Sequence, residues 1–474
     1  MSKVHHLSAF PVETLANICS LIGSDIKNLA RVDSFFLNFC RPWILRSRYN
    51  VVRDRNDCMI PRVLRDVLKD PSVIPYINRL EFWCHYVCDS VPSDDCQALI
   101  KENTDLYGDA VRRLIPEDAQ DKWIEHISIF NDDALKALLI LSLPNLESVD
   151  WSLHSNYNYM NDASEGAETH FFFEYLRITA DNRDTRPAIG LKEISIYSAW
   201  ACDTGNFLQL DDITELLTLP SLQKISLSEV RGDNEELVAL PSYSSPLQTL
   251  ELRSSFLNSL ALQNFLSPIS ALKSLTCEVG KPDGNWSTGD EAPYIMLEVI
   301  ESTCAQTLEV LHLAGHEYEF YDFDEQPDTL PTLRKFNNLT QFIVTAAILS
   351  QNFRFQSDLI EEDLIEEDLI EDDLIEDSPN SLPQPNLGTL MPPNLTVLEI
   401  RGCIDSVHAE DLGKALLDLL DAKESQIPEE RIAKLEKIHL NVTHFSNADW
   451  ESEVRLRCET LGIEFLVTIK KEMR

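Results

Sequence analysis

The sequence predicts an α/β chain: a three-helix unit at the amino terminus, then an irregular solenoid with parallel strands on its concave face and helices outside. Three observations predict it. The segment LxxΦxΦ, where Φ is apolar, occurs nine times from Leu146 onward. A helical stretch tends to precede each copy, as DDALKALLILSLP, DDITELLTLPS and APYIMLEVIESTCAQ do. The first fifty residues instead carry apolar positions at helical spacing, interrupted by tight turn signals.

At the amino terminus, Pro11 suits a first helical position, where its missing N–H costs nothing. Leu15, Ile18, Cys19 and Ile22 follow at i, i+3, i+4 and i+7, one apolar stripe. Gly23 is a natural stop, and Ser24 and Asp25 can cap a second helix with Ile26, Leu29 and Val32 inward. Ser34 opens a third helix, SFFLNFCR, expected to stop at Pro42. Three short helices cannot hide that much Leu, Ile and Phe from water alone, so part of the apolar surface is expected to meet a partner or the next domain.

The strand segments are LESVDW at Leu146, LKEISI at Leu191, LQKISL at Leu222, LQTLEL at Leu247 and LKSLTC at Leu272. LEVLHL at Leu308, LTQFIV at Leu339, LTVLEI at Leu395 and LEKIHL at Leu435 complete the nine, with RLEFWC near Leu80 as a degenerate addition. Their starting leucines lie 45, 31, 25, 25, 36, 31, 56 and 40 residues apart. The shortest gaps match a leucine-rich repeat of about 20–29 residues, and the longer ones imply insertions. A doubly wound sheet would not reuse one register nine times. Residues 49–140 read as linker and degenerate first repeats, and 141–474 as the solenoid. The closing NADWESEVRLRCETLGIEFLV reads as a helix, a stop at Gly462 and a last strand that could cap the stack.

Between two repeats, 351–393 reads as a disordered acidic and Pro-rich insertion. Its pentads place Leu359, Leu364, Leu369 and Leu374 about 140° apart on a helix, so no face could be buried. Residues Asp358 to Asp377 hold twelve acidic and no basic residues; removing them from the net charge of −39 leaves −27 for the rest. A surface this acidic repels phosphate backbones and anionic lipid, which argues against nucleic-acid and membrane partners and for a protein with a basic face. No run of about 18 apolar residues is present, and MSKVHHLSAFPVE carries no secretory pattern. With eleven irregularly spaced cysteines, the expectation is a reducing compartment, cytoplasmic and/or nuclear.

The stretch LSAFPVETLANICSLIGSDIKNLARVDSFFLNFCRPWILRS resembles an F-box over residues 6–48. Phe10-Pro11 stands where that family has Leu-Pro, Glu13 at its acidic position, Asp25-Ile26 at its turn, and Arg31-Val32, Phe36 and Pro42-Trp43 continue the match. Followed by irregular leucine-rich repeats, it is similar to the fungal F-box/leucine-rich-repeat proteins. The resemblance implies the substrate-recognition subunit of an SCF-type ubiquitin ligase, docking on a Skp-family adaptor and, through it, on a cullin. It implies an adaptor interface of Phe10, Pro11, Leu15, Ile18, Leu21, Ile26, Leu29 and Val32. The bland alternative is that half of these form the core of the three helices. A ligase-independent scaffold, with the helices as a cap, is the competing function.

On the strands, residues between and beside the Φ positions point outward, because side chains alternate. The expected target-binding row is Glu193, Tyr197, Lys224, Glu251, Arg253, Glu278, His312, Glu399, Arg401, Lys437 and His439. The repeats lack the usual asparagine or cysteine eight residues after the leucine except at Cys403, which predicts a weaker side-chain ladder. Catalysis finds little support. No GxG occurs among the 14 glycines, and Gly284 to Gly289 is followed by Asp290 where a phosphate loop needs lysine. Cys84, His85, Cys88 and Cys96 lack the second CxxC of a zinc site, and His316 lacks HExxH spacing. No enzyme activity, metal or cofactor is expected.

Overall fold

The computed structural model describes residues 11–22, 26–32, 34–53, 58–82, 93–154, 171–180, 190–199, 208–232, 244–279, 293–315, 332–346, 349, 387–404, 406–425, 432–445 and 450–469. The chain packs into two compact units, Met1–Asn206 with Glu215–Lys224, and Phe207–Thr214 with Ile225–Arg474.

The amino-terminal unit opens with the helices Val12–Ile22 (α1), Ile26–Ala30 (α2) and Ser34–Tyr49 (α3). Cys19, Ile26, Ala30 and Cys40 close its small core, with Leu29, Phe39 and Ile44 packed against them. Pro42 does not end α3, contrary to expectation. The proline forfeits one backbone bond, but Ile44, one turn beyond the core residue Cys40, continues the buried stripe and carries the helix through. The next stretch, expected as linker and degenerate repeats, is richly structured. It holds Val51–Arg53 (β1), Met59–Lys69 (α4), Arg79–Phe82 (β2), Asp94–Glu102 (α5), Thr104–Leu114 (α6), Gln120–Ser128 (α7) and Asp132–Leu141 (α8). Ser148–His154 (β3), Phe171–Ala180 (α9) and Glu193–Ala199 (β4) follow. The strands β1, β2, β3 and β4 pair in that order, all parallel.

Helix α8 is buried from Ala134 to Leu141, as an ALKALLIL run must be if it lies at the centre of the unit. Even Lys136 is only 3% exposed; its ammonium pairs with Asp132 one turn back and lies 5.6 Å from the Phe82 ring centroid. Asp133 accepts the Phe171 backbone N–H at 2.7 Å, and burial pushes its carboxyl up to about 7. The unfolded chain ionises this group near 3.8 while the fold holds the proton to about 7, so its contribution to stability falls across that window. Asp133→Asn, which keeps an acceptor without a charge, is expected to raise Tm at pH 8 and to leave it nearly unchanged at pH 4. Thermal unfolding at the two pH values checks the sign.

In the carboxy-terminal unit lie Leu208–Gln209 (β5), the strand Lys224–Ser228 (β6) from Ile225 onward, Val230–Gly232 (β7) and Thr249–Leu257 (β8). Ser259–Leu266 (α10), Ser274–Val279 (β9), Pro293–Cys304 (α11), Val310–Ala314 (β10) and Gln341–Thr345 (β11) come next. Leu387–Leu390 (α12), Val397–Ile404 (β12), Ser406–Glu424 (α13), Lys437–Phe445 (β13), Trp450–Leu461 (α14) and Glu464–Ile469 (β14) finish it. The sheet runs β6-β8-β9-β10-β11-β12-β13-β14, and every pair from β8 to β14 is parallel. Gly462, at φ +68°, makes the expected left-handed stop before β14.

All nine LxxΦxΦ segments form strands, and each strand starts two residues after its leucine. Those leucines are at most 1% exposed. The missing side-chain ladder is replaced by backbone. At the entry to most strands one carbonyl accepts two N–H groups from the next: Glu147 O from Lys192 and Glu193, Lys273 O from Glu309 and Val310, Glu309 O from Thr340 and Gln341, Thr340 O from Thr396 and Val397. Using both lone pairs of a carbonyl satisfies the amides that strand pairing leaves over at its start. The Thr340 and Thr396 hydroxyls add donors to the same carbonyls, at 3.1 and 2.8 Å.

Residues 351–386 lie outside the described residues, but the end of the expected insertion is folded. Leu387 and Met391 are 1% and 0% exposed, Leu333 N–H donates to Leu390 O at 2.8 Å, and Arg334 donates to Thr389 O at 2.9 Å. The reason is local: Leu387, Leu390 and Met391 supply an apolar turn that completes the repeat before β12. Between α13 and α14 the contact is close enough that a methyl group on Gly413 would overlap the Trp450 ring. Alanine is the better helix former by about 1 kcal/mol, yet overpacking costs about 1–3 kcal/mol. Gly413→Ala is therefore expected to lower Tm in the wild type and to raise it in a Trp450→Ala background.

Candidate functional site

Two kinds of surface carry unspent chemistry: an apolar one on the first helices, and the outward strand face of each unit. The first is apolar. Leu15 and Ile26 are 2% and 3% exposed and belong to the interior of the helical unit, while Ile18 and Leu29 are half-buried. Pro11 is exposed, and so are Leu21 at 84% and Val32 at 63%. Phe10 lies outside the described residues. Two residues not expected in this role, Phe35 and Leu37, are also exposed. The signal for them was the FFL run at the start of α3, too apolar for one helix face to bury. Four of the nine large exposed hydrophobics among the described residues thus fall between Leu21 and Leu37. Across the same unit, Arg41 donates to Asp70 and Ser72, both at 3.1 Å, tying α3 to the turn before β2.

The second surface is the sheet face opposite the buried leucines. In the amino-terminal unit it is an ion network that sequence reasoning missed. Arg53 donates to Glu81 at 2.6 Å, and Arg79 reaches Glu81 at 3.3 Å and Asp150 beside it. The register aligns Arg53, Glu81, Asp150 and Ser195 in one row. β1 has no leucine two residues before it, so the repeat pattern gave no warning of this row's first member. Glu193 and Tyr197 lie on this unit's β4, both exposed, and Lys224 also belongs to it.

The other eight expected residues lie in the carboxy-terminal unit. There the register places Glu251, Thr276, His312, Ile343, Glu399, His439 and Leu466 in one row across seven strands. Beside it run Thr345, Arg401, Asn441 and Thr468. Two strands repeat one device: Glu251 and Arg253 pair at 2.8 Å, Glu399 and Arg401 at 2.7 Å, each across one inward residue. A bulge disturbs the ladder just past each arginine, between Leu252 and Ser255 with Ser254 at φ +46°, and after Gly402 opposite β13. Such bulges re-aim neighbouring side chains.

Glu399 is the hub. It accepts from Arg401 at 2.7 Å and from Asn441 Nδ2 at 3.2 Å, and it faces His439 Nδ1 at 3.7 Å. Although partial burial opposes it, these donors hold its carboxyl below the usual range. His439 also bonds the Thr468 hydroxyl at 3.0 Å. His312 is pushed down to about 4, first by burial and then by the Arg401 guanidinium, so its ring is neutral at pH 7. Three polar atoms here are buried without a hydrogen-bond partner: His312 Nε2, Thr345 Oγ1 and Asn441 Oδ1. Lys437 is spent on Glu464 at 3.4 Å, and Glu278 sits opposite Ala314, away from this cluster. Thr345, Ile343 and Asn441 were missed because the run FIVT hides its alternation and Asn441 follows an already complete LEKIHL.

This arrangement presents fixed charges, donors and acceptors that can bind. Among the described residues no group of three metal-binding side chains converges, and Cys84, His85, Cys88 and His316 lie outside them. Among the described residues no helix is long and apolar enough to cross a membrane. No protein-family model and no curated protein matches the chain.

Proposed function

We propose that this protein is the substrate-recognition subunit of an SCF-type ubiquitin ligase. Its F-box-like helices dock on a Skp-family adaptor held by a cullin, and its leucine-rich-repeat strand face binds a target protein. The observation that carries the reading is the exposed apolar group Pro11, Leu21, Val32, Phe35 and Leu37 on a helical unit whose own core is already closed. Leaving five such groups in water is unfavourable for a free domain and favourable for one that is covered in use. The strand face supplies fixed charges and hydrogen-bonding atoms, the makings of a protein-binding surface. The chain then does no bond chemistry itself; it raises the effective concentration of its target near a charged ubiquitin-conjugating enzyme.

The competing reading, a ligase-independent scaffold with the helices as a cap, draws on the Arg41 bonds to Asp70 and Ser72. The two separate in one experiment, a pull-down of the full chain with purified Skp-family adaptor. The ligase reading expects one-to-one capture; the scaffold reading expects none from folded protein.

A further inference from the structure

We propose that β14 is a homodimerisation edge: its open side pairs antiparallel with β14 of a second copy of this chain, with Val467 on the two-fold axis. This contact uses the carboxy-terminal unit alone and stands whether or not the helices take an adaptor.

The backbone supplies the first reason. Among the described residues β14 ends the sheet, pairing with β13 on one side and with no strand on the other. Glu464 N–H donates to Glu436 O at 2.8 Å, so Glu464, Leu466 and Thr468 turn their backbone groups toward β13. Alternate residues of a parallel ladder face the other way, which leaves the N–H and C=O groups of Phe465, Val467 and Ile469 along the open edge. Natural edges are blunted by shortness, a bulge, proline or inward-pointing charge. β14 uses none of these: it is six residues long, keeps an unbroken register with β13, lacks proline and carries its one charge, the exposed Glu464, at its start. At the far end of the strand order, β1 is only three residues long and ends on Arg53.

The side chains select a second copy as the occupant. Antiparallel pairing about Val467 sets Phe465 opposite Ile469 and Leu466 opposite Thr468. Each open backbone group of one copy then meets its complement on the other, about six hydrogen bonds in all. Ile469, 58% exposed, is brought against Phe465, a 7% exposed ring whose centroid lies 5.1 Å from the Arg455 guanidinium. Leu466, 36% exposed on the opposite face, gains the methyl group of Thr468. A slip by one residue would put the buried face of one strand beside the outward face of the other. The two-fold axis uses up both open edges, so this contact adds no third copy.

Charge points the same way. Two copies of a chain with net charge −39 repel at a distance, but residues 450–474 hold five acidic and five basic residues. The charges beside the edge are paired within the chain: Glu464 with Lys437 at 3.4 Å, Arg455 with Glu451 at 2.7 Å, and Arg457 with Asp421 and Glu424 at 2.6 and 3.2 Å. A strongly basic partner strand, which the rest of the chain would favour, finds no excess of acid here. A neutral edge on an acidic chain suits another copy of itself, and added salt, which screens the remote repulsion, tightens the pair.

Sedimentation equilibrium of the full chain tests this. A monomer–dimer equilibrium is expected, tightening as salt is raised. Ile469→Lys leaves an exposed position soluble but puts an unpaired ammonium against Phe465 and Arg455 of the second copy; it should weaken the dimer at least about tenfold at unchanged Tm. Cross-linking reads the register. Leu466→Cys/Thr468→Cys sets thiols on facing residues with Cα atoms about 4.5 Å apart, within disulfide reach, so mild oxidation should give a covalent dimer. Leu466→Cys alone lies diagonal to its own counterpart at about 7–8 Å and should give no more covalent dimer than the wild type. A monomer at every concentration, growth beyond two copies, undiminished association in Ile469→Lys, no cross-link in the double variant, or a cross-link in Leu466→Cys alone would overturn the assignment.

Discussion

Trp151→Ala is expected to destabilise the amino-terminal unit by about 4 kcal/mol, in the range of buried Trp→Ala replacements. Trp151 is 1% exposed on β3 and packs against three other aromatic rings. Phe82 on β2 meets it edge-on with centroids 5.4 Å apart, and Phe172 and Phe173 on α9 lie at 6.0 and 6.2 Å. Removing the indole therefore opens a cavity bounded by two strands and a helix, which cannot collapse without moving β2. Backbone circular dichroism against urea reads the loss as a lower midpoint. A change below about 1 kcal/mol would mean that this cluster is not the core of the unit.

Leu21→Asp with Val32→Asp is expected to weaken capture of a Skp-family adaptor by about a hundredfold or more while leaving Tm within a degree or two. Both side chains are mostly in water in the free protein, at 84% and 63% exposure, so the folded chain loses little. In a complex they would bring two unpaired carboxylates into an apolar interface, each costing several kcal/mol, and every 1.4 kcal/mol is a factor of ten in affinity. A matched pair of substitutions at Leu15 and Ile26 would not separate binding from folding, because those residues are internal.

The strands were legible because their signal is local. A leucine such as Leu272, two spacer residues and an alternating pair state within six residues where a strand begins and which face is buried. Helices α8 and α14 were legible for the same reason. Elements without that leader were not: β1 and the two-residue β5 follow no leucine motif, and β7 comes straight after β6 with no leader of its own. Pro42 misled because its cost is paid by Ile44, a contact that only the folded unit contains. The site was legible as a list of outward residues and illegible as a cluster. His312, Thr345, Arg401 and Asn441 come from four strands separated by long connections, and which of them stand together depends on register, with a shift between β12 and β13 just past Gly402. That Asn441 presents its oxygen, and not its nitrogen, follows from its bond to Glu399, which no single-strand pattern contains.

The most direct measurement of the central claim is isothermal titration calorimetry of the full chain against purified Skp-family adaptor, with Leu21→Asp/Val32→Asp alongside. Saturable one-to-one binding by the wild type is expected, with its loss in the variant at unchanged Tm. Absence of binding by folded wild type, or equal binding by the variant, would contradict it and leave the helices as a cap on a binding scaffold.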